Sequence, residues 1–357
     1  NLLRSNQTKG SLPMQTKLQK YFPMLRSREE ILREIDENVK LTEQFYSWRE
    51  AQRQEFLDFC TGVRGIKMLY DSFFKEVMNP ETVPERLEEF LGILLNQKVK
   101  IIEILPGDST RIADEQSLLI MDILVRFEDG TYCNVEVQKI GYAFPGERSA
   151  CYSSDLLLRQ YKKARSVKKD HFTYKDVKGV YTIVLMEKSP AVFQKYPDEY
   201  IHIFMQKADT GLEMDLLQKY IFIPLDIFKK NVENKGIKNK IDGWLTFLGM
   251  DDAEKIIELI NTYPEFREMY EHVYYICRNV EDVMGIFSEE LRIMDRNTVR
   301  YMVDEMQETI DEQKETIDEQ KEMLAERDRK LEENICEMQE MQESIEELKK
   351  QIELLQK

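Results

Sequence analysis

The spacing of apolar residues changes character at Met68. Before it, residues 1–28 are polar and basic, interrupted by Gly10, Pro13 and Pro23, and read as a flexible basic leader. Arg28 to Phe59 has helical composition with few aliphatic anchors. After Asn79-Pro80, a turn, Pro84 sits where a helix start tolerates proline, and Leu87, Phe90, Leu91, Leu94 and Leu95 recur at helical spacing. Three strand-like runs follow, Lys98–Leu105, Leu118–Phe127 and Thr131–Gln138. Then come a helix over about Arg148–Arg165 and a strongly apolar strand, Val180–Met186. The order α-β-β-β-α-β predicts a mixed sheet flanked by helices. A further strand pair is expected near Tyr200–Gln206 and Tyr220–Pro224. Helices are expected over Ile241–Leu248, Ala253–Asn261 and Glu265–Arg278, and Ser288-Glu289-Glu290-Leu291 reads as the start of a last one.

That last helix runs into a repeat. Residues 308–314, ETIDEQK, recur as 315–321, and a seven-residue spacing aligns Ile310, Ile317, Leu324, Leu331, Met338, Ile345 and Ile352. The partner position reads Gln313, Gln320, Arg327, Asn334, Met341, Leu348 and Leu355, so only its last three members are apolar. Residues 300–357 therefore read as a coiled coil, strong in its C-terminal half, and a dimer through this tail is expected. The resulting division is leader 1–28, N-terminal helical segment 29–67, α/β core 68–226, helical accessory region 227–299 and coiled coil 300–357.

Charge changes the picture little. The net charge is −16, but residues 300–357 hold 19 acidic and 9 basic side chains, a net of −10, so the remainder is only mildly acidic. Five scattered cysteines without a CxxC pair, and three separated histidines, argue against a zinc site or a disulfide framework. No apolar run is long enough to span a membrane, and a cytoplasmic setting is the default reading.

The chemistry concentrates between Asp122 and Gln138. Glu128-Asp129-Gly130 is a hairpin signal. A three-residue loop sets Phe127 against Thr131 and places Asp122 opposite Glu136 on one face; a two-residue turn instead puts Asp122 opposite Val137. Strand parity gathers Asn134, Glu136 and Gln138 on one face. Two close carboxylates raise each other's pKa unless a cation lies between them. Mg²⁺, or Mn²⁺ in its place, suits one or two carboxylates and would polarise a phosphodiester and acidify an attacking water. From spacing alone, the same residues fit the solvent face of an amphipathic hairpin.

The run from Asp71-Ser-Phe-Phe-Lys75 through Leu91–Leu95, Asp122 and Glu136-Val-Gln138 to Phe144, Arg148, Tyr152 and Gln160-Tyr161 resembles the PD-(D/E)XK nuclease family transposases, also called recombination-promoting nucleases. The resemblance spans roughly residues 68–300 and continues through Val180–Leu185 and Trp244–Leu248. It implies a restriction-endonuclease-like core, with Asp122 and Glu136 as metal ligands and catalytic residues, and metal-dependent DNA cleavage linked to recombination or mobile elements. Gln138 would occupy the position of the lysine in the superfamily's E-x-K. Glutamine donates a hydrogen bond but brings no charge. Met121 stands where the superfamily has proline. An accessory acid from the first core helix would be Glu88 or Glu89, although both also fit a solvated helix edge.

Between Gly146 and Val180, nine basic residues stand against four acidic ones. Arg148, Arg159, Lys162 and Lys163 are the candidate phosphate contacts, with Tyr152 and Gln160 in support; a solvated, dipole-favoured helix end fits these lysines as well. Arg148 and Tyr152 share a face, expected to lie over the carboxylates. The expected function is a Mg²⁺-dependent DNA endonuclease. The rival is a catalytically degenerate nuclease fold that serves as an interaction platform.

Overall fold

A computed structural model describes residues 15–105, 122–139 and 145–355. Residues 1–14 of the leader, 118–121 of the expected second strand, and Phe144 lie outside the described residues.

The N-terminal segment forms three helices, α1 (Arg28–Asp36), α2 (Val39–Ser47) and α3 (Glu50–Thr61). Each has a local cause. Ser27 and Glu30 form a capping box on α1, Asn38 caps α2, and α3 stops at Gly62, which adopts a left-handed φ of 71°. Their anchors are aromatic as well as aliphatic: Phe45, Trp48, Phe56 and Phe59 are all buried. Residues 15–28 of the leader require a correction, because Leu18 and Phe22 are fully buried and Phe22 packs on Tyr270 and Tyr274. Two apolar anchors among lysines suffice to dock a segment whose composition looks like free coil.

Helices α4 (Asp71–Val77) and α5 (Pro84–Leu94) precede the sheet. The strands are β1 (Ile101–Ile104), β2 (Ile123–Phe127) and β3 (Tyr132–Gln138). Helix α6 (Pro145–Lys168) then crosses to β4 (Val180–Met186), and the short α7 (Ala191–Gln194) leads to β5 (His202–Phe204) and β6 (Gln218–Pro224). The six strands lie in the order β1-β2-β3-β4-β6-β5. The β3–β4 and β4–β6 pairs are parallel, and the other three are antiparallel. The mixed sheet flanked by helices is the architecture expected of a PD-(D/E)XK core.

Parity divides the sheet. Val125, Cys133, Val135, Ile183, Leu185, Ile221 and Ile223 face the main core. Leu124, Tyr132 and Val180 face Tyr152 and Leu156 of α6 on the other side. The main core also takes in α8 (Leu225–Lys235), α9 (Lys240–Gly249), α10 (Ala253–Thr262) and α11 (Phe266–Ile276). Trp244 of α9, for example, packs on Phe90 of α5. The segment 227–287 thus shares one core with the sheet.

Helix α12 spans Val280–Leu355. The start expected near Ser288 is corrected to Val280, where Asn279 Oδ1 accepts the Glu281 and Asp282 amides. Buried Val280, Val283, Met284 and Phe287 carry helical spacing through the Ser-Glu-Glu signal. The chain forms two compact units, Asn1–Thr298 and Val299–Lys357. In the second, Ile310, Ile317, Leu324, Leu331, Met338 and Ile345 are exposed on the single chain.

Candidate active site

The site begins with the β2–β3 hairpin. Thr131 N–H donates to Asp129 Oδ1, Gly130 holds a φ of 90°, and Phe127 N–H donates to Thr131 O. The loop is therefore Glu128-Asp129-Gly130, and the register runs Ile123 opposite Val135 and Leu124 opposite Asn134. Continuing it one step puts Asp122 opposite Glu136, the first of the two registers.

Asp122 sits just before β2. Its Oδ2 accepts the Val137 amide at 2.6 Å, so the carboxylate fastens the end of the ladder as well as lining the site. Burial pushes its pKa to about 6; the Val137 hydrogen bond opposes that, the Asp71 charge adds to it, and Lys75 and Lys139 oppose it. Glu136 is buried in β3, and burial pushes it to about 7. Arg148 opposes this shift, Asp122 adds to it, and the Tyr152 hydroxyl favours the anion.

Helix α6 places its second turn over these groups. Arg148 Nη2 lies 3.1 Å from Glu136 Oε1, and its guanidinium stacks 5.4 Å from the Tyr152 ring centroid. Tyr152 is almost fully buried. Among the described residues, Glu136 Oε2, Gln138 Nε2 and both amide atoms of Asn134 are buried without a hydrogen-bond partner. Such atoms are costly in a dry core and mark where a ligand or ordered water is accommodated.

The other candidates separate from this cluster. Glu88 accepts the Ile101 amide at 2.8 Å and pairs with Lys100, so it ties α5 to β1; Glu89 pairs with Lys240. Their bonds thus run to the edge of β1 and to α9. Gln160 is also removed: it accepts the Lys178 amide and donates to Gly179 O, holding α6 to the approach to β4. Twelve residues of helix separate it from Arg148, about 18 Å.

Part of the basic run is paired within the protein. Arg159 pairs with Asp155 at 2.7 Å, Lys163 with Glu103 at 2.9 Å, and Lys168 with Asp176. Lys162 is exposed. Sequence reasoning missed the groups that surround Asp122 beyond the hairpin, namely Lys75, Lys139 and, behind them, Glu290. Asp71 and Lys75 carried a signal as an i,i+4 pair opening a helix, and they join at 3.0 Å.

Among the described residues no cluster of three or more His, Cys, Asp or Glu side chains forms a ready metal cage. The donors instead fit a hard cation that takes two carboxylates and completes its shell with water and phosphate. The model of the PD-(D/E)XK nuclease family transposase matches residues 68–306. No curated protein and no solved structure matches the chain.

Proposed function

This chain belongs to the PD-(D/E)XK nuclease family transposases, and from that premise we propose that it is a Mg²⁺-dependent DNA endonuclease whose centre is Asp122, Glu136 and Gln138. One observation carries the reading. Two carboxylates at facing hairpin positions are both pushed up to about 6 and about 7, and a buried oxygen of Glu136 has no partner. A hairpin stabilised for its own sake would not set two acids side by side with one of them fully buried.

Asp122 and Glu136 would hold the cation. When bound, it supplies positive charge to the phosphodiester and acidifies the attacking water. Water adds to phosphorus, one P–O ester bond breaks, and the Gln138 amide, buried and uncommitted, donates to the water or to a phosphoryl oxygen. Arg148 replaces the cationic partner that glutamine cannot provide: its guanidinium reaches Glu136 and Tyr152 holds it there. The exposed apolar stripe of the tail supports a second part of the proposal, self-association as a dimeric coiled coil that pairs two centres.

The internal pairing of Arg159 and Lys163 favours the rival reading, a degenerate nuclease fold acting as a platform. Plasmid nicking in Mg²⁺ separates the two. The endonuclease reading expects wild-type nicking and a loss of at least about 100-fold in Asp122→Ala and Glu136→Ala. Equal activity in all three proteins overturns it.

A further inference from the structure

Glu290 is an acid set into an apolar stripe. Val280, Val283, Met284 and Phe287 are buried along one side of α12, and Glu290, the next position of that series, is 1% exposed. Both of its oxygens are engaged. Oε1 accepts the Asp71 amide at the start of α4, where Tyr70 provides no side-chain cap. Oε2 pairs with the ammonium of Lys139, whose side chain is 9% exposed. That ammonium also lies 5.5 Å from the Tyr70 ring centroid.

Lys139 directly follows Gln138. Strand parity sends Gln138 toward α6 with Glu136, and Lys139 to the opposite face with Val137. The lysine is nonetheless near enough to Asp122 for its charge to act on that carboxyl. Buried, it must keep an anion beside it, because an uncompensated charge in the interior is strongly destabilising. Removal of the Glu290 charge therefore leaves the ammonium to seek another carboxylate: Asp122 and Asp71 lie in this neighbourhood, and so does Glu187, whose amide donates to Gln138 O and whose charge acts on Tyr70.

We propose that Glu290 is a positioning residue of the metal site, a clamp that anchors Lys139 and the first amide of α4 so that Asp122 stays open to a cation. This rests on the reading of Asp122 and Glu136 as metal ligands. Glu290→Gln tests it with least disturbance, since the amide oxygen still accepts the Asp71 amide while the charge that holds Lys139 is gone. The released ammonium then competes with the cation for Asp122.

The measurement is Mn²⁺ binding by calorimetry to the full chain at pH 8, with thermal melts to establish that each variant is folded. Wild type binds; Glu290→Gln is expected to bind about 10-fold more weakly, within the range seen when groups behind metal ligands are altered. The double variant Lys139→Met/Glu290→Gln removes the competitor and is expected to regain wild-type affinity even if its melting temperature does not recover. A purely structural Glu290 predicts the opposite order, with the double variant no better than the single one. Equal affinity of wild type and Glu290→Gln, or a double variant as weak as the single one, overturns the clamp and leaves the metal site standing. A wild-type protein that takes up no Mn²⁺ overturns the metal site and the clamp with it.

Discussion

Glu136 shows what the site costs the fold. Its carboxyl titrates near 7 in the native chain and near 4.5 when unperturbed, so the folded state binds protons more tightly there. Stability is therefore greatest below the unfolded value and falls as pH rises through the folded one. Asp122, pushed to about 6, acts in the same direction. The full shift at Glu136 corresponds to roughly 3 kcal/mol at pH 8. Glu136→Gln, free of cation, is accordingly expected to melt higher than wild type at pH 8 and to lose that advantage near pH 4. Added Mg²⁺ should raise the melting temperature of wild type and not of the variant. A lower melting temperature for the variant at pH 8 would show that the charge stabilises the fold.

Among the elements, the β2–β3 hairpin decides the chemistry, because a one-residue slip moves Asp122 away from Glu136. Gly130 holds the register at a φ of 90° that a β-branched side chain strongly resists. A Cβ there would also lie 3.0 Å from Lys178 Cγ. Gly130→Val should cost on the order of 1–3 kcal/mol by chemical denaturation and lower nicking beyond the fraction unfolded. A loss of stability with full activity per folded molecule would separate the loop from the site. This hairpin was legible in the sequence because turn chemistry and strand period act over a few residues. So were β4, whose seven apolar or β-compatible residues match the observed Val180–Met186, and α6 as a helix. What escaped was non-local. Nothing in the spacing of Glu88 and Glu89 tells that they serve Ile101 and Lys240. The start of α12 at Val280 was hidden because a capping signal inside a helix looks like one at its end. Glu290 seemed a first-turn acid for the same reason, although its partners lie far away in sequence.

At the scale of the whole molecule, one core joins residues from Leu18 to Phe287, so segments that the sequence divides by composition fold together. Among the described residues of the unit from Val299 onward, none belongs to a buried core. Its aligned apolar residues, Ile317 and Leu324 among them, remain exposed. Truncation after Val303 should therefore leave the remaining domain folded and reduce the mass in solution from a dimer to a monomer, as measured by light scattering. An unchanged mass would place self-association elsewhere.

Whether Asp122 and Glu136 share one cation is settled by anomalous diffraction from crystals grown in Mn²⁺. A shared site gives a single strong peak at about 2–2.3 Å from an oxygen of each carboxylate. Carboxylates that bind no ion, with Arg148 still paired to Glu136 at saturating Mn²⁺, would contradict it.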